Sequence, residues 1–266
     1  MTDNMVDDWS AARVADVLLT AERSRAARTS IQHEWPGLTL DVAYAAQDIA
    51  LADRRSHGET VTGIKLGLTS RAKQKQMGVD VPSVAWLTDG MVLPAGLPVP
   101  RERLIHPRAE PEIAFVLGRA LTGPGITAAT ALAAVDHAMA AVEIIDSRYS
   151  GFRFTLADAV ADNNSSGVYV TGPVVRDVAG MDFGLEACLL EVDGDIVATA
   201  TGSAVLGHPA EALAFAANTF GARGITLEAG WVVLTGGMTD AVAVEPGSRV
   251  AAHFTTLGSI TIAGGQ

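Results

Sequence analysis

Three glutamates carry the strongest chemical signal in this chain. Glu110 and Glu112 lie in the run Arg108-Ala-Glu-Pro-Glu-Ile-Ala-Phe-Val-Leu117, and a third acid, Glu143, lies in Ala-Val-Glu-Ile-Ile-Asp-Ser-Arg148. Side chains change face at every residue of a strand. Glu110 and Glu112 therefore point one way, while Pro111, Ile113, Phe115 and Leu117 point the other. Carboxylates in segments of core composition need compensation, because a buried unpaired charge is costly. A hard divalent cation supplies it, and ligation by oxygen alone suits Mg²⁺ or Mn²⁺. The expectation is a metal-dependent enzyme acting on a small anionic substrate. The competing reading puts Glu110 and Glu112 on the wet face of an edge strand, the ordinary fate of an isolated Glu-x-Glu. The apolar surroundings of Glu143, from Ala140 to Ile145, weigh against it.

Other residues could join this chemistry. Lys65, in Gly63-Ile-Lys-Leu-Gly-Leu-Thr69, is either an edge-strand charge reaching water or an inward-pointing amine able to move protons, and the flanking glycines would admit a ligand close to the backbone. Asp162-Asn-Asn-Ser-Ser-Gly167 reads as a turn, or as a loop whose hydroxyls and amides hold a carboxylate. Leu234-Thr-Gly-Gly-Met-Thr-Asp240, with Gly237 and Thr239, is a strand end running into a glycine turn whose N–H groups could form an anion nest. It lacks the lysine and spacing of a nucleotide-binding P-loop. Arg148 offers two roles: counter-charge or clamp at the carboxylate site, and partner in a structural ion pair. His106 and His208 precede prolines and read as turn residues. No Ser-His-Asp triad, Cys/His zinc cluster or dinucleotide fingerprint is present.

The 266 residues are 48% hydrophobic and 18% charged, with a formal net charge of −11, which suffices for a sizeable core and offers no basic stripe for nucleic acid. Cys188, the single cysteine, excludes an internal disulfide and suits a cytoplasmic location; its apolar setting makes it a core residue. The acidic start, Met1 to Asp8, has no signal-peptide core, and the apolar stretch over residues 126–145 is broken by Asp136, His137 and Glu143, so no membrane association is expected.

Periodicity predicts a helix over residues 8–30, a second over Leu40–Ala52, a strand over Val61–Leu68 and a helix from Ser70 to Met77. Further helices are predicted over Thr127–Ala138 and Pro209–Phe220. The C-terminal third reads as four strands, Trp231–Leu234, Ala241–Val244, Arg249–Phe254 and Ser259–Ile262, with turns at Pro246-Gly247 and Leu257-Gly258. The helices are too few and uneven for a β-α-β wheel. The expected fold is α+β: an N-terminal helical cap over residues 1–60 and a rolled or sandwiched β core over residues 61–266.

Seven segments in order resemble the 2-keto-4-pentenoate hydratase / 4-oxalocrotonate decarboxylase family of the fumarylacetoacetate-hydrolase-like superfamily. They are residues 63–70, 76–82, 106–116, 142–149, 160–166, 205–209 and 234–239, and the likeness spans nearly the whole chain. The resemblance implies a mixed β-roll core, Mg²⁺ or Mn²⁺ on Glu110, Glu112 and Glu143, Lys65 as the acid/base or electrostatic residue, and Ser165 in the substrate pocket. Within the family, hydratases typically carry an acid where this chain has Ser83. The segments 72–77, 145–154 and 235–244 look more like the decarboxylases. Asn164 stands where relatives usually have alanine. The resemblance thus implies decarboxylation of 2-oxo-3-hexenedioate to 2-hydroxypenta-2,4-dienoate, with hydration of the latter as the alternative and a non-catalytic partner subunit as the remaining reading. It also implies a homo-oligomer and association with a partner hydratase or decarboxylase.

Overall fold

The computed structural model describes residues 9–71, 74–75 and 78–266. Helix α1 (Ala11–Ser24) is capped by Ser10, whose Oγ accepts from Arg13 N–H at 3.2 Å, and buries Val14, Ala15, Leu18 and Ala21. Arg25, at φ 53°, ends it in the left-handed conformation, so the helix stops short of the expected residue 30. A short helix α2 (Ile31–Glu34) and the longer α3 (Leu40–Ser56, capped by Thr39) follow. Their apolar faces close over Tyr149, Ala157, Val160 and Ala161, forming a cluster of their own.

A mixed sheet positions the chemistry. Its strands run β2 (Ser83–Thr88), β1 (Val61–Gly67), β8 (Val232–Leu234), β3 (Arg108–Leu117), β4 (Val135–Ile145) and β5 (Ser166–Asp177), with β9 (Val242–Ala243) added against β3. Only β1 and β8 pair in parallel; the other named pairings in this sheet are antiparallel. A second, antiparallel sheet has the order β11 (Gly258–Ala263), β10 (Arg249–Phe254), β6 (Ala187–Val192), β7 (Asp195–Thr201). The odd-numbered residues of β3, among them Ile113, Phe115 and Leu117, join the main core with Leu190, Val250, Ala252 and Ile260 of the second sheet. The other face of β3 carries the glutamates, and beyond them Ala114 in a small cluster with Leu87, Tyr169 and Leu234.

The helix expected over Thr127–Ala138 is cut short, and its last residues are strand. Helix α4 covers only Ala128–Leu132, and β4 begins at Val135. Alanine tolerates either state, and cross-strand pairing with β3 along Leu117↔Val135 through Arg108↔Ile145 decides it. A helix not foreseen, α5 (Leu156–Ala161), follows a capping box between Thr155 and Asp158. Helix α6 (Pro209–Ala222) starts with proline at its first turn, as expected. Residues 72, 73, 76 and 77 of the helix predicted from Ser70 to Met77, and the acidic N-terminal stretch, lie outside the described residues.

Cys188 is buried in the main core, where burial, aided by Glu186, pushes its thiol up to about 12. Ellman's reagent at pH 8 should therefore leave the native protein unlabelled and titrate the thiol only in denaturant; rapid labelling of the native protein would contradict the burial.

Candidate active site

The antiparallel register sets Glu110 of β3 opposite Glu143 of β4, and directly opposed residues share a face. Glu112 lies one repeat further along the same face. Carboxylate oxygens of all three lie within 4.8 Å of one another. Lys65 enters from β1, across the gap that β8 leaves. That strand is only three residues long: Leu234 pairs with both Lys65 and Ala114, and beyond it the chain turns into Thr235-Gly236-Gly237. Where the strand ends, the lysine reaches the acids. Its Nζ lies 2.6 Å from Glu143 Oε1 and donates to Asn164 O at 2.9 Å. The wet edge-strand reading is overturned, because Glu112, Glu143 and Lys65 are 0%, 1% and 2% exposed.

The turn after β8 is fastened to β3. Thr235 N–H and Oγ1 both donate to Ile113 O, Met238 N–H donates to Pro111 O, and Gly236 N–H donates to Glu112 Oε2 at 2.7 Å. Gly236 takes φ 113°, and a Cβ there would lie 2.1 Å from Thr69 Oγ1. A Cβ on Gly237 would lie 2.7 Å from Glu110 Oε2. Both positions need glycine because the backbone itself is in contact with the site.

The charge balance is unfavourable as it stands. Burial, then Glu143 and Glu110, holds the Glu112 carboxyl well above the ordinary range. Burial also raises Glu143, against the pull of Lys65. Among the described residues no hydrogen-bond donor reaches Glu112 Oε1 or Glu143 Oε2. Among the described residues, three convergent carboxylates, one ammonium and two orphaned buried oxygens fit a divalent, oxygen-seeking cation.

A cavity of about 990 Å³ opens beside the cluster, lined by Lys65, Glu110, Ser165 and Gly237 among others. Ser165 belongs to a tight loop in which Asn163, Asn164 and Ser165 all take positive φ (48°, 52° and 57°). Asp162 holds this loop through Ser165 N–H and Oγ. The strained turn aims Asn164 O at Lys65, while Ser83 Oγ donates to Asn164 Oδ1 at 2.9 Å. The two positions singled out in the sequence as departures from relatives, Ser83 and Asn164, are thus direct partners. Thr239 Oγ1 donates to Asp240 O.

Of the expected substrate residues, Ser165 and Gly237 line the cavity, Thr239 is not among its lining residues, and Arg148 is turned elsewhere. Its Nε donates to Asp162 Oδ1, its Nη1 to Ser166 O at 2.9 Å and its Nη2 to Asp162 O at 2.6 Å, so the fork is fully engaged in fastening the Asp162 loop. The ion-pair reading of Arg148 is the one its geometry matches, and the clamp reading is withdrawn. Two other arginines, Arg108 and Arg153, do line the cavity. Arg108 was legible in principle, since it lies two residues before Glu110 and so on the same face of β3. Arg153 follows a turn through Gly151 (φ 63°) and Phe152 (φ 58°), and residue spacing gives no signal for its direction.

The family model for the fumarylacetoacetate (FAA) hydrolase C-terminal region matches residues 60–262. The chain belongs to the fumarylacetoacetate hydrolase family. Within this family it is 39% identical over 231 residues to a 4-oxalocrotonate decarboxylase from Pseudomonas putida, covering 87% of this chain and 88% of that protein. It is 40% identical over 258 residues to a 2-keto-4-pentenoate hydratase from Burkholderia vietnamiensis, covering 96% and 98%. The structure of 4-oxalocrotonate decarboxylase from Pseudomonas putida G7, complexed with magnesium and adipate, superposes with a TM-score of 0.92 at 35% identity, over 95% of this chain and 96% of that one. This family member therefore shares its whole architecture, N-terminal helices included, with a decarboxylase of known structure.

Proposed function

We propose that this protein is a metal-dependent decarboxylase of an unsaturated 2-keto dicarboxylate, 2-oxo-3-hexenedioate, within the catabolism of aromatic compounds. The observation that carries the reading is the buried Glu110–Glu112–Glu143 cluster with Lys65 at its edge, opening on a cavity, in a chain that matches a magnesium- and adipate-bound decarboxylase over nearly its full length. The three glutamates would hold Mg²⁺ or Mn²⁺. Such a cation, when bound, supplies a Lewis acid for the negative charge that develops on the keto acid.

The chain's own groups account for the rest. Breaking the bond between C5 and C6 releases CO₂, and its electron pair shifts through the conjugated carbons to the C2 oxygen. Lys65, fixed between Glu143 and Asn164 O, presents an ammonium to that oxygen, stabilises the charge and delivers the proton that gives 2-hydroxypenta-2,4-dienoate. Ser83 engages Asn164 as a neutral hydroxyl, so this position supplies no carboxylate base to activate water. Ser165 and Gly237 line the wall along which the substrate lies.

Hydration of 2-hydroxypenta-2,4-dienoate is the second reading, favoured by the equal likeness to relatives named hydratases. A direct assay separates them. Stoichiometric CO₂ release from 2-oxo-3-hexenedioate, dependent on Mg²⁺ or Mn²⁺, is expected. Water addition to the pentadienoate with no CO₂ from the hexenedioate would overturn decarboxylation and leave the site to the hydratase reading. The finer assignments to a cytoplasmic location, a homo-oligomer and an association with a partner enzyme of the same reaction sequence belong to this proposal and rest on the family likeness.

A further inference from the structure

The cavity wall carries charge of both signs. At the inner end stand Lys65 and Glu110; elsewhere on the wall are Arg108, Arg153 and the exposed Asp240. Arg108 shares a face of β3 with Glu110 and Glu112, with about 7 Å between alternate Cα positions. Its guanidinium carbon lies 4.4 Å from the centre of the Phe152 ring. Stacking on the ring fixes the plane of the guanidinium and leaves its N–H edge available to a planar anion. Arg153 is the next residue along, in Phe152-Arg153-Phe154, whose two rings lie 6.5 Å apart beside the same cavity.

Among the described residues, neither arginine is placed in an ion pair with a carboxylate. Among the described residues, the arginines in ion pairs are Arg13, Arg23, Arg28, Arg54, Arg148 and Arg223. In a chain of formal net charge −11, two guanidiniums with no ion-pair partner among the described residues concentrate positive charge at one cavity. Asp240, which also lines the cavity, is in no ion pair with either among the described residues. An extended six-carbon diacid spans roughly 6 Å between its carboxyl carbons, by ordinary bond lengths, which is close to one strand repeat from Glu110 to Arg108.

We propose that Arg108 and Arg153 form a second carboxylate subsite, which receives the far end of a dicarboxylate and sets the preference for a 2-keto dicarboxylate over a 2-keto monocarboxylate. This rests on the reading above, in which the keto-acid end lies at the glutamate cluster. It gives the pair a role in recognition: the guanidiniums hold the departing carboxylate in line with the conjugated chain until the bond breaks.

The test uses two saturated ligands that cannot react, 2-oxohexanedioate and 2-oxohexanoate, titrated calorimetrically into the Mg²⁺-loaded protein. They share the keto-acid end and differ only at the far carboxylate. The wild type should favour the diacid by about tenfold or more, the worth of a charged hydrogen bond or two. Arg153→Gln and Arg108→Gln should each remove most of that preference while changing the affinity for the monoacid by less than about twofold on the same scale. Arg108→Lys, which keeps the charge and loses the fork, should fall between. Arg153 is exposed and its variant should melt like the wild type, so it decides the matter even if Arg108→Gln is destabilised. A diacid preference that survives both glutamine substitutions overturns the subsite alone. If neither keto acid binds the wild type in a Mg²⁺-dependent way, the assignment of the inner end fails, and the subsite with it.

Discussion

Replacing Lys65 by methionine should lower turnover by about 10²- to 10⁴-fold, the usual worth of a positioned proton donor, without loss of Mg²⁺ binding. The two parts of this expectation come from the same contact. Lys65 Nζ lies 2.6 Å from Glu143 Oε1, and both side chains are almost wholly buried. Methionine fills the same space without charge, so the cation replaces the ammonium as counter-charge to Glu143 and should bind at least as tightly. The metal-free variant, by contrast, leaves Glu143 buried and unpaired, a change that costs about 3–5 kcal/mol in comparable pairs. Its melting temperature should fall and should recover when Mg²⁺ is added. Steady-state kinetics beside metal titration and melting curves check all three. Turnover that is unchanged in Lys65→Met would remove the lysine from the chemistry; loss of turnover together with loss of metal binding would reduce it to a scaffold for Glu143.

What the sequence revealed and what it concealed follow from how far each interaction reaches along the chain. The common face of Glu110 and Glu112 is a local property of strand alternation and was legible. So were the burial of Glu143, from its apolar neighbours, and most of the C-terminal strands, from turn punctuation. The pairing of Glu110 with Glu143 was not, because the connection between Leu117 and Val135 is long and contains α4, and only a tight hairpin fixes register from sequence. The same connection concealed the first residues of β4, where alanines left helix and strand equally open.

Arginine placement shows the same limit. Arg148 and Arg153 are five residues apart in one polar segment, yet the first points into the Asp162 loop and the second into the cavity. The difference is made by positive φ at Gly151 and Phe152, and by the buried acid that claims Arg148 first. Lys65 presented an even choice between water and the interior. Its resolution depended on β8 ending at Leu234, some 170 residues away by rough count, a boundary that exists only in the assembled sheet.

Glu112→Gln should separate stability from function in opposite directions. Glu112 is fully buried, its Oε2 accepts from Gly236 N–H, and its Oε1 has no donor among the described residues. Glutamine has the same shape. Its amide oxygen can keep the Gly236 bond while its NH₂ turns toward Glu143 Oε2, which also lacks a donor. Above the pH at which Glu112 ionises, one like charge is removed and one orphan is satisfied, so there the metal-free variant should be more stable than the metal-free wild type by about 1–3 kcal/mol. At roughly 2–4 °C per kcal/mol for a chain of this size, that is a visible rise in melting temperature. The pH dependence should change with it. Burial, with the two neighbouring acids, holds the Glu112 pKa in the folded chain above its ordinary 4.5, so the metal-free wild type loses stability as pH rises from the ordinary glutamate range through that raised value. Glutamine cannot titrate and should flatten this fall. Mg²⁺ should then add nothing to the variant's melting temperature, and turnover should drop to background, because an amide offers the cation no charge. A purely structural acid would show the reverse, a variant destabilised at every pH and an unaltered response to metal. A variant that keeps both its Mg²⁺-dependent melting shift and its turnover would dissolve the three-glutamate site.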